Sequence, residues 1–366
     1  MFRILHMIGS LDYGGSQMFI LSILEQLHSE GIVFDFIIDH PEELQIAERV
    51  KALGSRIFVL PAFKGYNIVS YLRAWNSFFQ GHPEYNIIHG HVRSTAAIYL
   101  SIAKKYGLFT IAHSHSTNSG EGVKGRIKNA IQYFIRFVAD YFMACSDEAG
   151  EWLFGTNVVK TNRYMTVFNG IDYDQYKFNA FTRDLYRDRL GIKKDDIVIG
   201  HVGRFNEAKN HIFLINVFNQ INKKKRNTYL LLIGNTDKTE YSLSKKAVEE
   251  FKLQNSVIFL GPSNEINNWL NVMDCFVFPS KWEGFGIAAL ESQANGLKTY
   301  VSATIPHNIA ISDNILFLPL TMPAEEWATL IIKKGFSREK GAYDSRYDIK
   351  VIAKKLSDFY RTYNAL

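Results

Sequence analysis

The chain is poor in the residues that build scaffolds without a core. It has 366 residues but only two cysteines and eight prolines. Two cysteines exclude a disulfide framework and fit a reducing compartment, and so few prolines exclude a Pro-rich scaffold. Cys145 and Cys275 sit in the apolar runs YFMACS and MDCFVF and read as small core residues rather than nucleophiles. No run of about 18 apolar residues occurs, so no membrane-spanning helix is expected. The opening stretch MFRILHMIGSLDYGG is too short and too interrupted for a signal peptide. Zinc-finger spacing and RNP-type aromatic motifs are also missing, which argues against a nucleic-acid partner.

What is present is a globular composition. Apolar residues make up 47% and charged residues 21%, enough to bury a large core and too apolar for disorder. At roughly 100–200 residues per domain, two domains are expected. Charge divides along the chain: residues 1–180 are balanced, whereas 181–366 carry the whole net charge of +6. Eight of the eleven histidines lie in the first half.

Periodicity gives an α/β architecture. Compact apolar runs (Phe2–Ile8, VFDFIID, RIFVL, NIIHGH, FTIAHSH) alternate with stretches of helical spacing such as Ser16–Ser29. The pattern breaks in the polar segment Phe178–Asp196 and restarts with IVIGHVG, TYLLLIG, VIFLG, CFVFPS and LKTYVSA. The expected fold is two Rossmann-like doubly wound domains, 1–180 and 181–348, with ligands at the carboxyl ends of the strands. The last helix, within 349–366, is amphipathic and could pack on either half.

Two constellations carry the chemistry. Arg204 and Lys209 flank the strand-to-helix loop GRFNEAK. Backbone N–H groups at a helix N-terminus, with a guanidinium and an ammonium beside them, suit a diphosphate; the plain alternative is a pair of solvated surface cations. In PSKWEGFGIAALESQANG, Glu283 precedes a helix and Glu291 lies about two turns into it. Gly284 and Gly286 allow backbone N–H groups close to a ligand, and a carboxylate can accept from vicinal hydroxyls of a ribose or hexose. The alternative is a helix-terminal acid and a surface acid.

His89-Gly-His91 and His113-Ser-His115 place paired histidines on one face of each strand. Together they could hold a metal, as in a metal-dependent hydrolase. No acid stands at a neighbouring strand end to complete such a centre, so a structural role is favoured and no metal is expected. Asp172-Tyr173-Asp174 reads as turn chemistry. Residues 121–142 form a basic amphipathic stretch, with Lys124, Arg126, Lys128 and Arg136 among apolar residues. It suits either an anionic membrane surface or burial against its own domain.

VGRFNEAKNH and FPSKWEGFGIAALESQANGL together resemble the signature of the retaining, nucleotide-sugar-dependent GT-B glycosyltransferases of family four. The second stretch resembles that family's E-x7-E motif, and GSLDYGGSQ its glycine-rich acceptor-side loop. IIHGH, TIAHSHS, ACSDEAGEWLFG and NGID resemble the exopolysaccharide and capsule branch. The resemblance spans essentially the whole chain. It implies a GT-B fold, two such domains facing across a cleft, with a UDP-linked sugar donor on the C-terminal domain and a saccharide or lipid-linked saccharide acceptor on the N-terminal one. It implies that Arg204 and Lys209 hold the diphosphate, Glu291 the ribose and Glu283 the donor sugar. Gly284, Phe285, Gly286 and Ile287 would line the donor, Gly14 and Gly15 would face its phosphates, and His115 would approach the sugar, with His113 as a substitute. Asn235 and Pro262 are secondary candidates. FLGPSNEI departs from the commoner Gly-x-x-x-Asp-Val form at Asn264-Glu265, which leaves the base open. The resemblance implies neither a metal nor another cofactor, and a cytoplasmic location, peripheral at the inner face of the plasma membrane. The competing functions are a sugar-nucleotide epimerase of the same fold and, less well supported, the histidine-based hydrolase.

Overall fold

The computed structural model describes residues 2–42, 44–115, 131–235 and 238–364. The chain forms two compact units, 1–171 with 345–366, and 172–344. Each is built on a parallel sheet.

The first sheet contains β1 (Phe2–Met7), β2 (Ile32–Ile38), β3 (Ile57–Val59), β4 (Ile87–Gly90), β5 (Phe109–Ser114), β6 (Tyr141–Ala144) and β7 (Tyr164–Thr166). Their order is β3-β2-β1-β4-β5-β6-β7. Successive side chains point to opposite faces, and both faces are covered, so the strands read as unbroken apolar runs. Ile4, Phe34, Ile87 and Ile111 meet the helix Gly15–His28 and the final helix, Ile349–Asn364. Leu5, Ile37, Ile88 and Ala112 meet Ile68–Gly81 and Ala96–Lys105 on the other face.

The second sheet contains β8 (Ile197–Val202), β9 (Thr228–Ile233), β10 (Val257–Gly261), β11 (Cys275–Phe278), β12 (Lys298–Ser302) and β13 (Ile315–Leu318), in the order β10-β9-β8-β11-β12-β13. Its core joins Ile199, Leu230, Val277 and Tyr300 to the helices His211–Lys224 and Ala324–Lys334. In each sheet the strand order reverses direction once, between β1 and β4 and between β8 and β11. Parallel sheets bind ligands at such switch points, beyond the carboxyl ends of the strands.

The sequence boundaries near 180 and 349 fall a few residues from the divisions at Ile171 and Ser345. The reason is local: the short helix Tyr173–Tyr176 is tied to the second unit, where Asn295 Nδ2 donates to the Tyr176 carbonyl at 2.9 Å. The final helix packs on the first unit, with Tyr360 wholly buried and Ser357 Oγ donating to Glu30 at 2.6 Å. Of the amphipathic stretch 121–142, residues 121–130, with Lys124, Arg126 and Lys128, lie outside the described residues. The rest is not one helix. A short helix, Ile135–Val138, gives way at Ala139 to an extended backbone, and Tyr141 and Phe142 belong to β6. Cys145 and Cys275 are wholly buried and in no disulfide, in keeping with core roles. No helix among the described residues is long and apolar enough to cross a membrane.

Candidate active site

The second unit gathers the donor-side residues at its switch point. The loop after β8 runs through Gly203 and Arg204 into the short 3-10 turn Glu207–Lys209. It is pinned by backbone bonds from Gly203 N–H to Ile233 and from Phe205 N–H to Asn235, both 2.8 Å. Gly234 permits this approach, because a Cβ there would stand 2.0 Å from the Gly203 carbonyl oxygen. Asn206 caps the turn by accepting from Lys209 N–H at 3.2 Å.

This anchoring carries the Lys209 ammonium to the loop after β11. There it pairs with Glu283 at 2.5 Å and lies 4.6 Å from the Phe278 ring centroid. Both side chains are largely buried, at 18% and 12% exposure, so the pair is screened far less than a surface pair. Arg204 is exposed on the same loop. Gly286 takes φ +90 at the start of the helix Ile287–Ala294. A Cβ there would be strained, and it would also press on Ile309 Cδ1 at 3.2 Å. Gly284 and Phe285 sit between Glu283 and this helix, with Phe285 buried, and Ile287 is the helix's first residue.

Glu291 is half-buried on that helix, on the stripe it shares with Ile287. Tyr176 Oη donates to its Oε1 at 2.7 Å. Burial pushes the Glu291 carboxyl up to about 7, against the opposing effect of the Tyr176 bond. An acid half-buried and held by Tyr176 is not freely solvated, and it keeps spare lone pairs for a ligand. Asn235 and Pro262 are exposed at the ends of β9 and β10. Asp172 caps the helix Tyr173–Tyr176 by accepting from Asp174 N–H at 3.1 Å, which is the turn role expected of it.

In the first unit, a cavity of about 220 Å³ is bordered by Gly9, Ser16, Gln17, His91, Arg93 and His115. Gly14 caps the helix that begins at Gly15, and its N–H donates to Asp12 at 2.9 Å. The expected glycine loop therefore adjoins a cavity that also holds His115. His113 lies deeper. It is 2% exposed, with Nδ1 3.1 Å from His89 Nε2.

Sequence reasoning missed three contributors. Tyr176 sits in the boundary segment and carried no motif. Phe278 was read only as strand. His6 lies alone in an apolar strand, yet parallel pairing sets it beside His89.

Comparison with known proteins identifies the family. Residues 13–175 match the family described as Glycosyltransferase Family 4, and residues 182–315 match Glycosyl transferases group 1. The chain is a GT-B glycosyltransferase of family four. EpsF of Bacillus subtilis, which bears a glycosyltransferase name, is 26% identical over 90% of this chain and 87% of its own length. The capsular polysaccharide biosynthesis glycosyltransferase CapH of Staphylococcus aureus is 20% identical over 98% of this chain and 99% of its own. Among solved structures, Anabaena HepE with UDP-glucose superposes with a TM-score of 0.80 at 15% identity, covering 99% of this chain and 100% of that one. This glycosyltransferase therefore has the expected pair of Rossmann-like domains.

Proposed function

We propose that this glycosyltransferase moves a sugar from a UDP-sugar to a lipid-linked saccharide, with retention at the anomeric carbon, in exopolysaccharide or capsule biosynthesis. The observation that carries the donor assignment is the Lys209–Glu283 pair, set beside exposed Arg204 at the β8–β11 switch point. When a donor enters, its diphosphate takes Lys209 and Arg204, and the freed Glu283 carboxylate turns to a sugar hydroxyl. Glu291 accepts from the ribose hydroxyls. As the anomeric C–O bond breaks, negative charge grows on the diphosphate, and fixed cations stabilise it where it develops. The departing phosphate oxygen takes the acceptor hydroxyl's proton on the same face, so no protein nucleophile is needed. With two cations on the diphosphate, transfer requires no metal and no further cofactor.

Several likenesses support the finer points. HepE has been seen with UDP and with UDP-glucose. An Escherichia coli relative, 24% identical over 63% of this chain, is named a galactosyltransferase that uses UDP-Gal and a GlcNAc-diphosphoundecaprenol acceptor. CapH, named for capsular polysaccharide biosynthesis, supports a place in capsule assembly. In the first unit His115 and the Gly14-Gly15 loop serve the sugar and phosphates, with the acceptor on the same unit. Contact with an anionic membrane at the cytoplasmic face is supported by Tyr133, Phe134 and Phe137, which are 49%, 59% and 69% exposed around Arg136.

Incubation with a panel of UDP- and GDP-sugars, with and without polyprenyl-diphosphate saccharides, tests this reading. A new glycosidic bond of unchanged anomeric configuration is expected from one UDP-sugar. Conversion of the donor without any acceptor would instead mark an epimerase.

A further inference from the structure

Five histidines converge at the carboxyl ends of β1, β4 and β5, at the switch point of the first sheet. His6 and His89 are direct partners in the β1–β4 register, and His91 follows β4. His6 Nδ1 lies 3.0 Å from His91 Nε2, and His91 Nδ1 lies 2.7 Å from His115 Nε2. His89 reaches Tyr360 Oη through Nδ1 at 2.7 Å and His113 through Nε2 at 3.1 Å. His6 and His89 are 1% and 2% exposed.

So much buried imidazole needs a reason. Burial depresses every one of these rings, His6 and His115 to about 3, and so holds them neutral. Neutral imidazole is the metal-ligating form. It also carries a single N–H, so rings bonded only to one another run short of partners. Among the described residues, His6 Nε2 is buried with no hydrogen-bond partner. Such an orphaned atom destabilises the fold unless something satisfies it.

We propose that His6, His89 and His91 form a binding site for one zinc-type divalent ion. One ring nitrogen from each lies within 4.8 Å of the others. Zinc bonds imidazole nitrogen at about 2.0–2.1 Å, which sets ligand nitrogens roughly 3.4 Å apart, so small ring rotations close the site. The outer partners are already in place. His91 bound through Nε2 donates its other N–H to His115, and His89 keeps either Tyr360 or His113. This is the usual way a second ring nitrogen fixes a ligand's tautomer. His91 borders the 220 Å³ cavity, which supplies an entry path and an open fourth position. A second group, His91, His113 and His115, also lies within 4.8 Å. It is the poorer cation site, because the Arg93 charge bears on His115.

The ion would clasp β1 to β4 and, through His91, orient His115. Its ligands belong to the first unit and the cations proposed for the diphosphate, Arg204 and Lys209, to the second, so the metal-free transfer proposed above is a separate claim. The full chain, stripped with chelator and dialysed against excess zinc sulfate, should retain one zinc per chain and unfold at a temperature at least 5 °C higher (roughly, from saturation by mass action). Cobalt loading should give visible d–d absorption of a tetrahedral nitrogen site. His6→Gln and His89→Gln should abolish retention, and His113→Gln should keep it. No zinc on the unaltered chain overturns the proposal, and needs no variant to fold. Equal zinc on all variants, or loss only in His113→Gln, overturns it as well. The readout is metal content, so failure here leaves glycosyl transfer untouched.

Discussion

At the residue scale, two side chains decide whether the donor is held as proposed. Arg204→Ala removes one fixed donor from the developing diphosphate charge, a loss of about 3 kcal/mol by comparison with other charge-stabilising donors. Steady-state kinetics should show kcat/KM down on the order of 100-fold with the fold unchanged. Glu291 gives a pH signature. Its carboxyl is raised to about 7, so between the ordinary carboxylate range and pH 7 the folded chain holds a proton that the unfolded chain has lost. Its contribution therefore favours folding at low pH and fades as pH rises through that window. Donor binding runs the other way, because only the ionised acid accepts from both ribose hydroxyls. KM for the donor should fall as pH rises from 6 to 8, and Glu291→Gln should flatten the profile. Tyr176→Phe removes a bond that lowers the Glu291 value, so it should move the profile to higher pH.

At the element scale, the donor loop depends on how closely β9 lets it approach. Gly234→Ala would set a Cβ 2.0 Å from a backbone oxygen, and backbone cannot swing aside as a side chain can. We expect a cost of about 1–3 kcal/mol in urea unfolding, together with weaker donor binding, because the shift falls on the loop that carries Arg204 and Lys209. The elements were readable where one period ruled. Strands such as β8 and β11 are short apolar runs buried on both faces, and His211–Lys224 shows helical spacing throughout. Residues 131–142 misled because Ile131, Phe134, Ile135 and Phe137 mimic a helical stripe. Of these Ile135 is buried, while Phe134 and Phe137 stay exposed, and the next apolar residues turn into a strand. Pairing across elements was not readable from periodicity. Lys209 with Glu283 follows from register, as does His6 beside His89, and Tyr176 reaches Glu291 from a segment with no motif.

At the scale of the whole molecule, the chain crosses from the first unit to the second and returns. The helix Ile349–Asn364 closes the core around Phe34, Ile87 and Met143 with Ile352, Leu356 and Tyr360. Truncation before Ser345 should therefore leave 172–344 cooperative in calorimetry while the first unit loses its transition. Each unit has its own core, which is why a two-domain architecture could be read from a pattern that simply restarts. Whether cations of the second unit grip a diphosphate is decided by calorimetric titration of UDP into the unaltered chain and into Lys209→Ala. Saturable one-to-one binding is expected, weaker by at least 10-fold in the variant, about 1.4 kcal/mol. Equal affinity in both, or no heat with the unaltered chain, would contradict it.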